Sequence, residues 1–393
     1  MLMIFLSACT STRKAYFGNH RNASFTEVVS EQPPLHTLFL IGDTGADDSP
    51  STNPVFQGLK TMLTNSPDNS SVVFLGDQLY PNGLPKKKSP ERENAERQLS
   101  AQLNMLSDFP GKAYFIAGER DWNNGKADGL KAVRRQEKFL EGYFDDEDKV
   151  HMYPGKGCAD PKVLKITKDL VFVFIDSQWW LQNWNNEGAI NKGCDIHSRY
   201  DLINRIQEIF ADHKNDEVVL FMHHPLRSLG IHGGRFGLGD HLLPFRASHD
   251  LNIPIPVLGS LSPLLRNLGT NPQDIANQRY QELINAIESA ATRVGAYTLF
   301  ASAHDQGLQY FDDYKLQYVV SGSAATTNFT GKGETATYSH QARGFAKVIF
   351  YEEFETWLEF YTVATEGGTP KLTFRTQIRQ PRPGSVEEEV SYP

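Results

Sequence analysis

A layered α/β fold is what this 393-residue sequence predicts, on three observations. Seven apolar runs of strand length recur along it, amphipathic stretches of helix length lie between them, and most of the runs end in a residue able to bind a hard cation. The runs are TLFLIGD, SVVFLGD, KAYFIAG, LVFVFIDS, EVVLFMHH, AYTLFASAHD and LQYVVSGSA. Each is nearly continuous in Val, Ile, Leu and Phe, which suits strands buried on both faces beneath helices.

The helical stretches follow the same logic. SPERENAERQLSAQLNMLSDF opens Ser-Pro-Glu and sets charged residues over an apolar face, so a helix is predicted after the second strand. SRYDLINRIQEIFADH places Leu202, Ile203, Ile206, Ile209 and Phe210 on one face. NPQDIANQRYQELINAIESAATRV puts Asn271 and Pro272 in cap and first-turn positions and continues with Ile275, Leu283, Ile284 and Ile287. The segment from Arg227 to Asp250 has no period and is rich in Gly, His and Arg. A loop of that length is functional or mobile. Its Arg235, His241, Arg246 and His249 offer positive charge at the entrance for an anionic substrate, an ordinary surface loop being the alternative.

Hydrophobic residues at 39%, with 24 Phe and 15 Tyr, mark a folded chain. A net charge of -8 and no basic run beyond Lys86 to Lys88 exclude a nucleic-acid partner. The opening MLMIFLSACTSTRK resembles the lipobox of a bacterial lipoprotein, which makes Cys9 the lipidated residue and predicts a membrane partner through a lipid anchor in the cell envelope, on the periplasmic or outer-membrane side. A buried apolar terminus with a chance cysteine is the alternative. The expected organisation is a signal segment at 1–9, a tether at 10–34 closed by Pro33 and Pro34, a folded domain at 35–375 and a flexible tail at 376–393. Cys158 and Cys194, both in Gly-flanked loops, are then a pair that an exported protein permits to form a disulfide. Two buried thiols are the alternative.

The strand ends carry the chemistry. Asp43, Asp77 with Tyr80, Glu119, His223 with His224, and His304 with Gln306 each follow a different apolar run. Ligands bind at the carboxyl ends of strands in such sheets. Asp, Asp, Glu, His and His gathered there suit two divalent metals, held about 3.5 to 4 Å apart by a shared carboxylate and able to clamp a displacement at phosphorus. Any one of these residues alone is more often a cap, a turn former or a core histidine.

In order, GDTG, GDQLYPNG, GERD, HHP and AHDQ resemble the motifs of the calcineurin-like metallophosphoesterases, in their purple, tartrate-resistant acid phosphatase branch, from about residue 36 to about 330. The resemblance implies a four-layer αββα sandwich. It implies Asp43, Asp77, Tyr80 and Gln306 at a first metal, and Asp77, Glu119, His223 and His304 at a second, with Asp77 bridging. It makes His232 a candidate for substrate contact or proton transfer. For Tyr80, a packing role stays open beside ligation.

Three positions depart from the family: Glu119 replaces Asn, Arg120 replaces His and Gln306 replaces His. The first and last move the set toward oxygen ligation, which favours Mg, Mn or Ca over Zn and leaves the family's iron and zinc in question. Arg120 can hold phosphate oxygens while His232 or His224 handles the proton, or it can pair with Asp121 or Glu119. Two functions are therefore expected: a metal-dependent phosphomonoesterase or phosphodiesterase using a metal-activated hydroxide, or a degenerate, non-hydrolytic module that binds an envelope protein partner.

Overall fold

The computed structural model describes residues 14–18, 32–45, 52–183, 191–237, 261–333, 335–364 and 368–380. Cys9, His241, Arg246 and His249 lie outside the described residues.

Fifteen strands are described in chain order: β1 (Tyr16–Phe17), β2 (His36–Ile41), β3 (Ser70–Phe74), β4 (Lys112–Phe115), β5 (Val150–Met152), β6 (Lys162–Lys165), β7 (Leu170–Phe174), β8 (Glu217–Phe221), β9 (Tyr297–Ser302), β10 (Leu308–Asp313), β11 (Leu316–Ser321), β12 (Tyr338–His340), β13 (Gly344–Phe350), β14 (Thr356–Val363) and β15 (Pro370–Arg379). They form a seven-stranded sheet in the order β15-β14-β13-β2-β3-β4-β5 and an eight-stranded sheet in the order β1-β12-β10-β11-β9-β8-β7-β6. β2 to β5 run parallel, as do β7, β8, β9 and β11, and the remaining pairings are antiparallel.

Alternation along single strands explains the layering. Leu38 and Leu40 of β2 enter a core with Val73, Phe172, Phe221 and Leu299, where the inner faces of the sheets meet. Phe39 and Ile41 turn the other way, into a cluster with the helices. Both faces are buried, so the runs read as continuous apolar sequence. The helices are α1 (Pro54–Thr64), α2 (Arg92–Leu103), α3 (Gly129–Glu141), α4 (Ser177–Leu181), α5 (Arg199–Asp212), α6 (Leu261–Asn267) and α7 (Gln278–Val294). The outcome is the four-layer αββα sandwich, built of two mixed sheets and flanking helices. No described helix is long and apolar enough to cross a membrane.

Three boundaries differ from expectation. α7 begins at Gln278, capped by the Asn277 side chain on the Arg279 N–H, so residues 271 to 277 are turns rather than its first two turns. Tyr16 and Phe17, inside the expected tether, pair with β12, because Phe17 packs on Tyr338 with ring centroids 5.6 Å apart. β15 continues past 375 to Arg379, whose guanidinium lies 3.3 Å from Glu217 and stacks on Phe354 and Tyr297. Cys158 and Cys194 form a disulfide, 36 residues apart in sequence.

Candidate metal centre

The carboxyl ends of β2, β3 and β4 in one sheet meet those of β8 and β9 in the other, so Asp43, Asp77, His223 and His304, each two or three residues past its strand, converge from both sheets. Glu119, four residues past β4, joins them through Arg120, which lies 3.0 Å from it and 3.9 Å from Asp77. Asp43, Asp77 and His304 all sit at positive φ, at 52°, 56° and 65°. That backbone region costs a non-glycine residue roughly 1–2 kcal/mol, and strained residues of this kind cluster at functional sites. Close approach adds two glycine requirements: a Cβ on Gly76 would lie 2.4 Å from His223 Nδ1, and one on Gly118 would lie 2.2 Å from Asp77 Oδ1.

Proton positions on two of the histidines follow from their partners. His223 Nδ1 lies 2.7 Å from the Leu75 carbonyl and His304 Nε2 lies 3.1 Å from the Gln273 carbonyl. A carbonyl only accepts, so both of those nitrogens carry the hydrogen. His223 Nε2 and His304 Nδ1 are then bare in the neutral rings, and they face each other at 3.2 Å. Burial holds His223 down to about 4 and His304 well below the usual imidazole range, so both are neutral near pH 7. Two facing lone pairs with no proton between them fit a shared cation, since backbone carbonyls orient metal-binding histidines in just this way.

Carboxylates complete the donor set. Asp77 Oδ1 lies 3.6 Å from His223 Nε2 and accepts the Arg120 backbone N–H at 2.9 Å, while its Oδ2 is 3.1 Å from the Tyr80 hydroxyl. That hydroxyl is also 3.1 Å from Asp43 Oδ1, and Asp43 Oδ2 accepts the His304 N–H at 2.9 Å. Asp77 thus stands between a histidine half and a tyrosine half. Burial pushes Asp77 up to about 6 and, helped by the Asp77 charge, lifts Asp43 well above the carboxylate range. Three buried carboxylates face one guanidinium, an imbalance that a bound cation cancels.

No family model and no curated protein matches the chain. Solved structures do. GAP50, described as the anchor in the inner membrane complex of Plasmodium, aligns with a TM-score of 0.54 at 13% identity, over 88% of this chain and 90% of that one. PhoD aligns at 0.51 and 10% identity, over 88% and 70%. The chain has the calcineurin-like metallophosphoesterase fold. A purple acid phosphatase from yellow lupin seeds aligns at 0.48 and 13% identity, over 87% of this chain and 53% of that one.

Within the metallophosphoesterase fold, the GERD turn divides its charges. Asp121 does not pair with Arg120. Its two oxygens accept the N–H groups of Asp77, Gly118 and Gln78 at 2.8, 2.8 and 3.2 Å and the Gln136 amide at 2.9 Å, bolting the loop after β3 to the loop after β4. Arg120 Nε is 3.0 Å from Glu119 Oε1 and 3.9 Å from Asp77 Oδ2, its Nη1 donates to Asn124, and its guanidinium lies 5.2 Å from the Tyr80 ring centre.

The remaining candidates fall around this centre. Burial, and then the charges of Asp77 and Asp43, raise the Tyr80 phenol well above 10, so it donates to those carboxylates. Gln306 turns its amide nitrogen to the Tyr80 hydroxyl at 3.3 Å and accepts Thr326 Oγ1 at 2.6 Å on its carbonyl. In that orientation the atom turned to Tyr80 is the amide nitrogen, which cannot ligate a cation, while the carbonyl is turned to Thr326. His224 lies close to His223 and His304, but Ser177 holds its Nδ1 at 2.8 Å and the Gln273 side chain takes its Nε2, which places it behind the centre. His232 stacks on His304 with ring centroids 3.8 Å apart, and Asp274 holds its Nδ1 at 2.9 Å. Burial acts to lower the His232 imidazole, but the Asp274 hydrogen bond and the charges of Asp305 and Asp274 outweigh it and leave it raised. Arg227 turns away, 2.7 Å from Asp313. Gln273, Asp274 and Ser177 belong to the site and carry no motif. The one signal in the sequence was an Asp among residues read as a helix start.

Proposed function

We propose that the chain is a metal-dependent hydrolase of phosphate monoesters or diesters. The observation that carries this reading is the pair of bare nitrogens of His223 and His304 with Asp77 beside them. Ions held by Asp77, Glu119, His223 and His304, and across Asp77 by Asp43 and Tyr80, would lower the pKa of a water and neutralise charge on the phosphoryl oxygens. Arg120, fixed by Glu119 and Asn124, orients the phosphate by its outward N–H groups and stays protonated throughout. His232 has its Nδ1 held by Asp274, which leaves Nε2 to protonate the departing oxygen. A cleft of 770 Å³ includes Tyr80 and is lined by Lys86, Lys88 and Arg135 against Glu91 and Asp128, room and a small excess of positive charge for an anionic leaving group.

The test is hydrolysis of para-nitrophenyl phosphate and its bis-ester with Mg, Mn, Ca, Fe or Zn supplied, beside elemental analysis. Turnover is expected with wild type and a loss of roughly a hundred-fold or more with Asp77→Asn at unchanged fold. Equal turnover in the variant would overturn the bridging role.

One observation favours a second reading. The Tyr80 hydroxyl between Asp43 and Asp77, with the Gln306 nitrogen against it, fills the first half of the centre with hydrogen bonds. A non-hydrolytic module with one metal, serving as an envelope binding or assembly protein attached through Cys9, would have that form, and GAP50 is described as an anchor. One metal per chain with no turnover of either ester would select it.

A further inference from the structure

Two adjacent residues, Gln273 and Asp274, hold three histidines of the centre. The Gln273 main-chain carbonyl takes the Nε2 hydrogen of His304 at 3.1 Å. Its side-chain carbonyl takes the Nε2 hydrogen of His224, and its amide donates to Gln178 Oε1 at 3.1 Å. Asp274, 2% exposed, holds His232 Nδ1 at 2.9 Å and is itself held by Arg266, with Nε 2.7 Å from Oδ2. The main chain is tied down as well: Asp274 N donates to Asn271, Asn277 N to Asp274, and Ile275 N to the His232 carbonyl at 2.9 Å.

These bonds do different things. An imidazole can carry its proton on either nitrogen, and His304 is useful to a cation through Nδ1 only while Nε2 keeps the hydrogen. The Gln273 carbonyl enforces that choice. The Gln273 side chain, anchored between His224 and Gln178, adds a further hold on that carbonyl beside the main-chain bonds. Among the described residues the His232 ring meets Asp274 and, at 3.2 Å, Arg266 through Nδ1, and Asp274 supplies its orientation against His304.

We infer that Gln273 and Asp274 are positioning residues: Gln273 sets the cation-facing nitrogen of His304, and Asp274 sets the ring of His232. This rests on the metal-centre reading above. Partners of this kind change metal affinity by about 10- to 100-fold when removed.

The experiment titrates Mn²⁺ and Zn²⁺ into the full chain against a chromophoric chelator, with kcat and KM for para-nitrophenyl phosphate measured alongside. Gln273→Ala is expected to weaken metal binding at least ten-fold, and Gln273→Glu, which keeps an acceptor for His224, to restore it to within about three-fold of wild type. Asp274→Ala is expected to lower kcat about ten-fold or more with KM and metal affinity within two- to three-fold. Unchanged metal affinity in Gln273→Ala, or equal loss in Gln273→Ala and Gln273→Glu, overturns the Gln273 role. An unchanged kcat, or a loss of metal in Asp274→Ala, overturns the Asp274 role. Should Gln273→Ala not fold, Gln178→Ala, which removes only the outer anchor, is expected to lose about three-fold, and no loss there counts against the proposal. Metal binding without turnover in wild type sinks the hydrolase reading and the Asp274 role while the Gln273 titration still decides its own part. No metal in wild type sinks both.

Discussion

His223 Nε2 and His304 Nδ1 stand 3.2 Å apart, each with its ring proton directed to a backbone carbonyl on the opposite side of the ring. A cation between them should be bound to the folded state alone, because the unfolded chain has no such pair. Chelation is therefore expected to lower the melting temperature of wild type, with about 2.7 kcal/mol of stabilisation at a free metal concentration of 100 Kd. His304→Ala should lose most of that chelator-dependent shift. Differential scanning of both proteins reads this, and a chelator shift in His304→Ala as large as that of wild type would remove the histidine from the ligand set.

Asp121 accepts from four donors on three segments, so its role is structural. Asp121→Asn sets an amide NH₂ against N–H groups and is expected to cost about 3 kcal/mol in urea unfolding. A cost below about 1 kcal/mol would mean that the two loops are held by other contacts.

A pH effect is expected far from the centre. His36 is buried against Phe172 and Ser71, and burial lowers its pKa from 6.5 to about 4. Between those values the unfolded chain binds a proton that the folded chain refuses, so this contribution falls as pH drops from about 6.5 toward 4. Wild type should lose about 2 kcal/mol more than His36→Gln between pH 7 and pH 5. Parallel urea curves at the two pH values check it, and equal losses would place the proton elsewhere.

Cys158 and Cys194 tie the loop after β5 to the loop before α5, 36 residues apart. Closing a loop of that length is worth about 3 to 4 kcal/mol through the unfolded chain. The double change to Ser should lose that stability and leave metal content intact. A loss of metal with it would show that the bridge also shapes the centre.

Lys86 and Lys88 line the cleft that includes Tyr80. Replacing both with Ala is expected to raise KM for esters with an anionic leaving group about ten-fold, at unchanged KM for para-nitrophenyl phosphate. Equal KM values for both kinds of ester would exclude the cleft from substrate binding.

Much of this molecule could be read along the chain. All seven apolar runs became strands, because burial on both faces leaves a continuous signature that survives without tertiary information. Asp43, Asp77, Glu119, His223 and His304 were legible for a related reason: each follows its strand by a few residues, so parallel order carries them to the carboxyl edge of their own sheet, and only the packing of the two sheets brings those edges together. What stayed hidden depends on contacts between segments far apart in sequence. Which oxygen acceptor each histidine meets decides which nitrogen is bare, and those acceptors, Leu75 and Gln273, lie 148 and 31 residues from the rings that they hold. Arg120 has carboxylates as neighbours on both sides in sequence, yet only the packing of Asp121 onto the loop after β3 decides that it pairs with Glu119. The turn at 271 to 277 looked like a helix start because Asn and Pro favour caps, and tertiary bonds to three histidines drew it out of the helix. By itself the sequence determined the layered fold and the kinds of donor at its edge. Tertiary structure decided where each proton and charge points, because those directions are set by hydrogen bonds that close only when both sheets are in place.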